Sequence, residues 1–278
     1  MMWTIGEARV TEIVELTTTS AAHWLLPDAT ADRVKEIGWL IPTYATAEGK
    51  VHMTIRALVV ESDGRRILVD TCLGNDKQRE VPAWNMLAGP FLDDLSAAGF
   101  PPESIDTVLC THLHVDHVGW NTRLVDGEWV PTFPNARYLF ADVEWAHWER
   151  EMDDVLRADS IQPVIDAGLV DLVATDAQLT SEVSLVATPG HTPGHVSVAI
   201  ESGGQRATIS GDVSHMVCQA AHPEWGSAFD VIPSQAEATR RAFYDEHADT
   251  DTLVLGTHWE PCAGYVKSDG DVWNVVPA

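Results

Sequence analysis

The chain has 278 residues, 45% of them hydrophobic, with 42 acidic against 17 basic side chains and a formal net charge of −25. That length and apolar content are enough for a sizeable core, while the acidity argues against nucleic acid and anionic membranes as partners. No apolar run reaches membrane-spanning length, and the start Met1-Met2-Trp3-Thr4-Ile5 lacks the basic region of a signal peptide.

Taken in chain order, Leu25-Leu26-Pro27 and Trp39-Leu40-Ile41-Pro42 are apolar but irregular. Residues 1–50 therefore read as including an N-terminal extension that either walls a pocket or pairs two copies of the chain, which keeps a homodimer open. Val51 to Val60 alternates apolar and polar residues, Ser62-Asp63-Gly64-Arg65 turns, and Arg66 to Asp70 returns, which predicts a β-hairpin. Phe91 to Ala98 and Val143 to Leu156 carry apolar residues at helical spacing. Between them, Thr107-Val108-Leu109-Cys110 predicts a buried strand. Ala207-Thr208-Ile209-Ser210 reads as a second short strand, and Thr252-Leu253-Val254-Leu255 as a third. Ser234-Gln235-Ala236-Glu237 matches a capping box opening a helix through His247. The four cysteines, Cys72, Cys110, Cys218 and Cys262, lie far apart without Cys-x-x-Cys spacing. Buried reduced thiols in a cytoplasmic protein are the expectation. No repeat, low-complexity segment or linker divides the chain, so residues 1–278 are expected to form a single domain.

The strand at Thr107 runs directly into His112-Leu113-His114-Val115-Asp116-His117, three imidazoles and one carboxylate within six positions. Burying so many ionisable groups without a partner is costly, and imidazole and carboxylate are the ligands that zinc and its neighbours prefer. Two more histidines, His191 and His195, sit in the Pro/Gly-punctuated turn Thr188-Pro189-Gly190-His191-Thr192-Pro193-Gly194-His195. The second strand ends in Gly211-Asp212 and the third in Gly256-Thr257-His258, so separate strand ends each deliver a ligand type. No Gly-x-Ser-x-Gly elbow offers a competing nucleophile.

The series His-x-His-x-Asp-His, then His, Asp and His, resembles the metallo-β-lactamase superfamily over about Leu58 to His258. The resemblance implies an α/β (α+β) fold, a four-layer αββα sandwich, and two divalent metal ions, zinc foremost with manganese, iron or cobalt as alternatives. It assigns His112, His114 and His191 to the first metal, and Asp116, His117 and His258 to the second, with Asp212 bridging. His195 would play a supporting or structural part. Asp70-Thr71-Cys72-Leu73-Gly74 is similar to the superfamily's strand-end Asp-Thr-x-x-Gly, which implies that Asp70 supports the metal ligands from behind.

Asp212 separates the chain from β-lactamases that lack a bridging aspartate, and His117 and His114 separate it from members carrying Arg or Glu there. Gly211-Asp212-Val213-Ser214-His215 resembles the lactonase and methyl-parathion-hydrolase-like branch, with His215 where lactonases place Tyr. The activity implied is hydrolysis of a neutral, hydrophobic small molecule: an ester, lactone or phosphotriester. A hydroxide shared by two metals would attack, Asp116 would shuttle a proton to the leaving group, and His215 would donate a hydrogen bond to developing charge. Among the 11 tryptophans, Trp120 leaves the metal loop directly and is expected to touch substrate. Two other readings of the same ligands are a mononuclear iron oxidoreductase of the persulfide dioxygenase type and a glyoxalase-type thioesterase. The latter's anionic substrates find no basic cluster here.

Overall fold

The computed structural model describes residues 1–278. Its chain begins with β1 (Met2–Ile5), β2 (Ala8–Ala21), α1 (Ala31–Glu36), β3 (Lys50–Ser62), β4 (Arg65–Val69), α2 (Phe91–Ala97) and β5 (Thr107–Leu109). A small hairpin, β6 (Thr122–Val125) and β7 (Glu128–Pro131), precedes β8 (Arg137–Ala141), α3 (Asp142–Glu151), α4 (Asp154–Leu156), α5 (Gln162–Asp166) and β9 (Val170–Val173). The remainder is β10 (Val183–Ala187), β11 (Val196–Ser202), β12 (Gln205–Ile209), α6 (Pro233–His247), β13 (Leu253–Leu255), β14 (Ala263–Asp269) and β15 (Val272–Pro277).

Seven strands form one sheet in the order β1-β2-β3-β4-β5-β8-β9, and six form a second in the order β10-β11-β12-β13-β14-β15. Period-two alternation sorts their side chains into layers. Leu58, Val60, Ile67, Val69 and Leu109 from the first sheet meet Val196, Val198, Ile209, Leu253 and Leu255 from the second in one shared core. The alternate residues Ala57, Val59, Leu68 and Val108 face outward and are covered by Phe91, Leu95, Ile161 and Val164. On the far side of the second sheet, Val254, Val266 and Val275 pack against Phe243 and Tyr244 of α6 and against Leu25, Leu26, Leu40 and Tyr44. The result is helix, sheet, sheet, helix, the expected four layers.

Several local expectations need correction. The helix expected over Val143 to Leu156 stops at Met152, where the backbone is extended, and restarts at Asp153, whose side chain accepts the Val155 and Leu156 amides. Asp153 competes for the backbone as a new cap, and apolar spacing alone does not register that. The capping box at Ser234 does not form: α6 starts at Pro233, with Ile232 before it and no side-chain cap. Proline suits the first helical position because its missing N–H has no partner there anyway. The hairpin β3–β4 is present, but residues 8–21 also form the long strand β2, paired along its length with β3. The segment called an extension is thus part sheet and part cover, with Leu25 to Tyr44 folded over α6 and β14. All four cysteines are buried and unpaired, and no helix is long and apolar enough to cross a membrane.

β4 and β5 run parallel, as do β12 and β13. Each parallel pair therefore ends at the same edge of its sheet. Asp70 follows β4, the His112–His117 loop follows β5, Asp212 follows β12 and His258 follows β13. The turn joining β10 to β11 brings His191 to the same edge.

Candidate metal centre and cleft

The structure gathers the other six expected ligands about Asp212. Asp212 Oδ2 lies 3.4 Å from His117 Nε2, 3.6 Å from His191 Nε2 and 3.8 Å from His112 Nε2, while Oδ1 lies 3.2 Å from His258 Nε2. On one side, His114 Nδ1 faces His191 Nε2 at 2.9 Å and His112 Nε2 at 3.1 Å. On the other, the Asp116 carboxylate reaches His117 Nε2 at 3.7 Å and His258 Nε2 at 3.6 Å. The ligand atoms of His112, His114 and His191 lie within 4.8 Å of one another, and so do those of Asp116, His117 and His258. His112, His117 and Asp212 form a third such group that joins the other two.

Four of the imidazoles, His112, His117, His191 and His258, have the nitrogen away from the centre occupied. His117 Nδ1–H donates to Asp70 Oδ2 at 2.8 Å, and Asp70 Oδ1 accepts the Thr111 amide at 2.8 Å. Thr111 Oγ1 in turn sits 3.1 Å from His112 Nδ1. His258 Nδ1–H donates to the Thr54 carbonyl at 3.0 Å, and His191 Nδ1–H donates to Asp230 Oδ1 at 2.8 Å. Where the partner is a carboxylate or a carbonyl, as for His117, His191 and His258, Nδ1 is a protonated nitrogen and Nε2 is the atom turned toward the centre. His195 stands behind the site: its Nε2 accepts the Asp212 amide at 2.8 Å and its Nδ1 meets Thr188 Oγ1 at 2.8 Å.

Electrostatics follow the same division. Burial, then the facing imidazoles, hold His112, His114 and His191 well below the ordinary imidazole range. Burial likewise lowers His195, to about 4. At His117 burial is outweighed by Asp212, Asp70 and Asp116, and its pKa rises well above the usual value. Burial also opposes the charge on Asp212, but His258, His117 and His215 prevail and hold its carboxyl well below the usual range. Asp212 Oδ1 is nevertheless buried without a hydrogen-bond partner. A buried orphan carboxylate oxygen amid converging imidazole nitrogens fits divalent cations, whose binding would displace the imidazole protons.

His215 reaches the same space. Its Nε2 lies 3.1 Å from Asp212 Oδ2, and its buried Nδ1 has no partner. Trp120 does not. It is 4% exposed, stacks on Phe91 at 5.6 Å and donates its indole N–H to Glu15 at 2.6 Å, so it faces the core and not the cleft. The walls come instead from Trp24, Trp84, Trp148, Leu156 and Phe229, around a cavity of about 280 Å³ floored by His114, Asp116, His191, Asp212, His215 and His258. No lysine or arginine lines it.

Three supporting carboxylates escaped the sequence reading. Asp230 holds His191 and also accepts the Ser227 amide at 2.9 Å. Glu144 ties two ligand-bearing segments together, accepting Leu113 N–H and Gly194 N–H, each at 3.0 Å. Glu15 grips the segment after Asp70. Each acts across a long chain separation, and no local spacing signals it.

Residues 54–258 match the Metallo-beta-lactamase superfamily. An N-acyl homoserine lactonase from Bacillus cereus is 25% identical over 169 residues, 55% of this chain and 60% of that protein. Another from Bacillus sp is 29% identical over 108 residues, 39% of this chain and 38% of that protein. The chain thus spans between 38% and 60% of the length of these two relatives. Among solved structures, hydrolase AbOPH of the beta lactamase superfamily superposes with a TM-score of 0.83 at 25% identity, covering 100% of this chain and 96% of that one. AidC, described as a dizinc quorum-quenching lactonase, superposes with a TM-score of 0.80 at 22% identity, covering 100% and 97%, a likeness of fold.

Proposed function

The chain belongs to the metallo-β-lactamase superfamily, and on that premise we propose that it is a dinuclear metal-dependent hydrolase of neutral, hydrophobic lactones, esters or phosphotriesters. The observation that carries this reading is the pairing of two ligand groups across one carboxylate, Asp212, at the floor of a cleft lined by no lysine or arginine. His112, His114 and His191 would hold one cation, Asp116, His117 and His258 the other, and Asp212 both. When bound, such cations supply Lewis acidity and a water of lowered pKa.

The chain's own residues do the rest. Trp24, Trp84 and Phe229 line an apolar wall that excludes water from an uncharged substrate arm. The Asp116 carboxylate, the more open of the two acids, takes up the proton released on attack and returns it to the leaving oxygen. His215 offers an imidazole hydrogen bond to charge developing on the substrate. Its place beside Asp212, where the lactonase branch carries Tyr, favours substrates bulkier around the reacting centre.

The test is a panel of lactones, aryl esters, phosphotriesters, β-lactams and anionic thioesters, assayed with zinc- or manganese-loaded protein alongside metal analysis. About two ions per chain and turnover of neutral substrates, abolished by chelator, are expected. One iron with a requirement for oxygen would overturn the reading in favour of a persulfide dioxygenase type, and preference for anionic thioesters would favour the glyoxalase type.

A further inference from the structure

Glu15 is the one residue of β2 skipped in its pairing with β3: Val14 opposes Arg56 and Leu16 opposes Ile55. Such a bulge breaks the alternation and re-aims a side chain, often beside a functional site. Here it sends a carboxylate inward from a mostly half-buried stretch of strand. Glu15 Oε2 accepts the Leu73 amide at 2.7 Å, and Oε1 accepts the Gly74 amide at 3.0 Å and the Trp120 indole N–H at 2.6 Å. Three donors from two separate segments thus converge on one acid.

Those segments are the ones that set His117. Asp70 and Cys72 are non-glycine residues in the left-handed region, at φ 60° and 51°, a conformation that persists only where surroundings over-determine it. The strained segment lies backbone to backbone on the metal loop: Thr71 N–H donates to the His117 carbonyl at 2.8 Å, Gly119 N–H to Cys72 and Trp120 N–H to Thr71, both at 2.7 Å. Within it, Asp70 receives His117 Nδ1–H. Glu15 itself neither lines the cleft nor joins a ligand group.

We propose that Glu15 is a positioning residue, a clamp from the bulged strand that holds residues 70–74 against the exit of the metal loop and thereby keeps the Asp70–His117 pair aimed at the second metal position. Trp120 is the clamp's other jaw. The proposal rests on the dinuclear reading above, and its test separates the two.

Glu15→Gln keeps the size but turns one acceptor into a donor facing N–H groups, and Trp120→Phe removes one donor while keeping a ring on Phe91. Metal content is measured after dialysis against graded chelator, with kcat and KM on the best neutral substrate. The His117 Nδ1–H proton is followed by NMR in metal-free protein. Glu15→Gln is expected to lose one ion at roughly tenfold lower chelator or less, with kcat down and KM little changed, and to broaden or shift the His117 signal. Trp120→Phe shifts each readout the same way by less. Wild-type metal retention, kcat and His117 signal in both variants would overturn the clamp, whatever the melting temperature does. A wild-type protein holding a single ion would instead overturn the dinuclear reading, and the His117 signal still decides for or against Glu15.

Discussion

At the scale of the residue, Asp212 and His215 are neighbours in space with separable parts. Asp212 faces four imidazoles of the two ligand groups, whereas the His215 ring meets Asp212 and packs edge-on to His191 at 4.6 Å, leaving a buried nitrogen free. His215→Ala is therefore expected to lower turnover by roughly 10- to 1,000-fold, the scale of losing one transition-state donor, with both ions retained. Asp212→Ala should lose an ion together with nearly all turnover, because no other carboxylate lies between the groups. Elemental analysis beside steady-state kinetics separates the two outcomes. Loss of metal from the His215 variant would make it a ligand, and an unchanged kcat/KM would leave it a packing residue.

At the scale of the element, glycines mark where segments touch without room for a side chain. A Cβ on Gly119 would collide with the Leu73 carbonyl and the Gly74 amide, whereas one on Gly89 meets nothing. Gly119→Ala is expected to cost about 1–3 kcal/mol, as for an overpacked core, and to weaken metal retention by pushing residues 70–74 off the loop that carries His117. Gly89→Ala should be close to neutral in a denaturant titration, and equal effects at the two positions would refute the close-packed contact. The same contrast explains what was legible in the sequence. Strand ends carrying His112, Asp212 and His258 announce themselves because apolar run and ligand-type residue are adjacent in the chain. Glu15, Glu144 and Asp230 do not, since each acts on partners 31 to 58 positions away. Trp120 misled for the same reason: its nearness to His117 in sequence says nothing of Glu15 and Phe91, which draw its ring into the core. The β2 strand stayed unread because a bulge at Glu15 and the polar run Thr17-Thr18-Thr19-Ser20 blur its alternation.

At the scale of the whole molecule, the net charge of −25 should act on stability independently of the candidate metal centre. Two divalent ions would neutralise only a small part of it, and the ion pairs present include exposed ones such as Lys35–Asp32 and Arg33–Asp28, a class that contributes about 0–1 kcal/mol each. Salt weakens those pairs, but it also screens repulsion among the far more numerous unpaired carboxylates. With 42 acidic against 17 basic residues, repulsion outnumbers attraction, so relief of repulsion should win. The melting temperature is therefore expected to climb as sodium chloride rises from about 0.01 M to about 0.5 M, a range over which the screening length shrinks from about 30 Å toward a few ångströms. Because the effect lies on the surface, chelated and metal-loaded protein should climb in parallel, offset by the stabilisation that bound ions give. A flat or falling curve would show that the local pairs dominate. A rise confined to the loaded protein would place the salt effect at the site and not in the field of the whole chain.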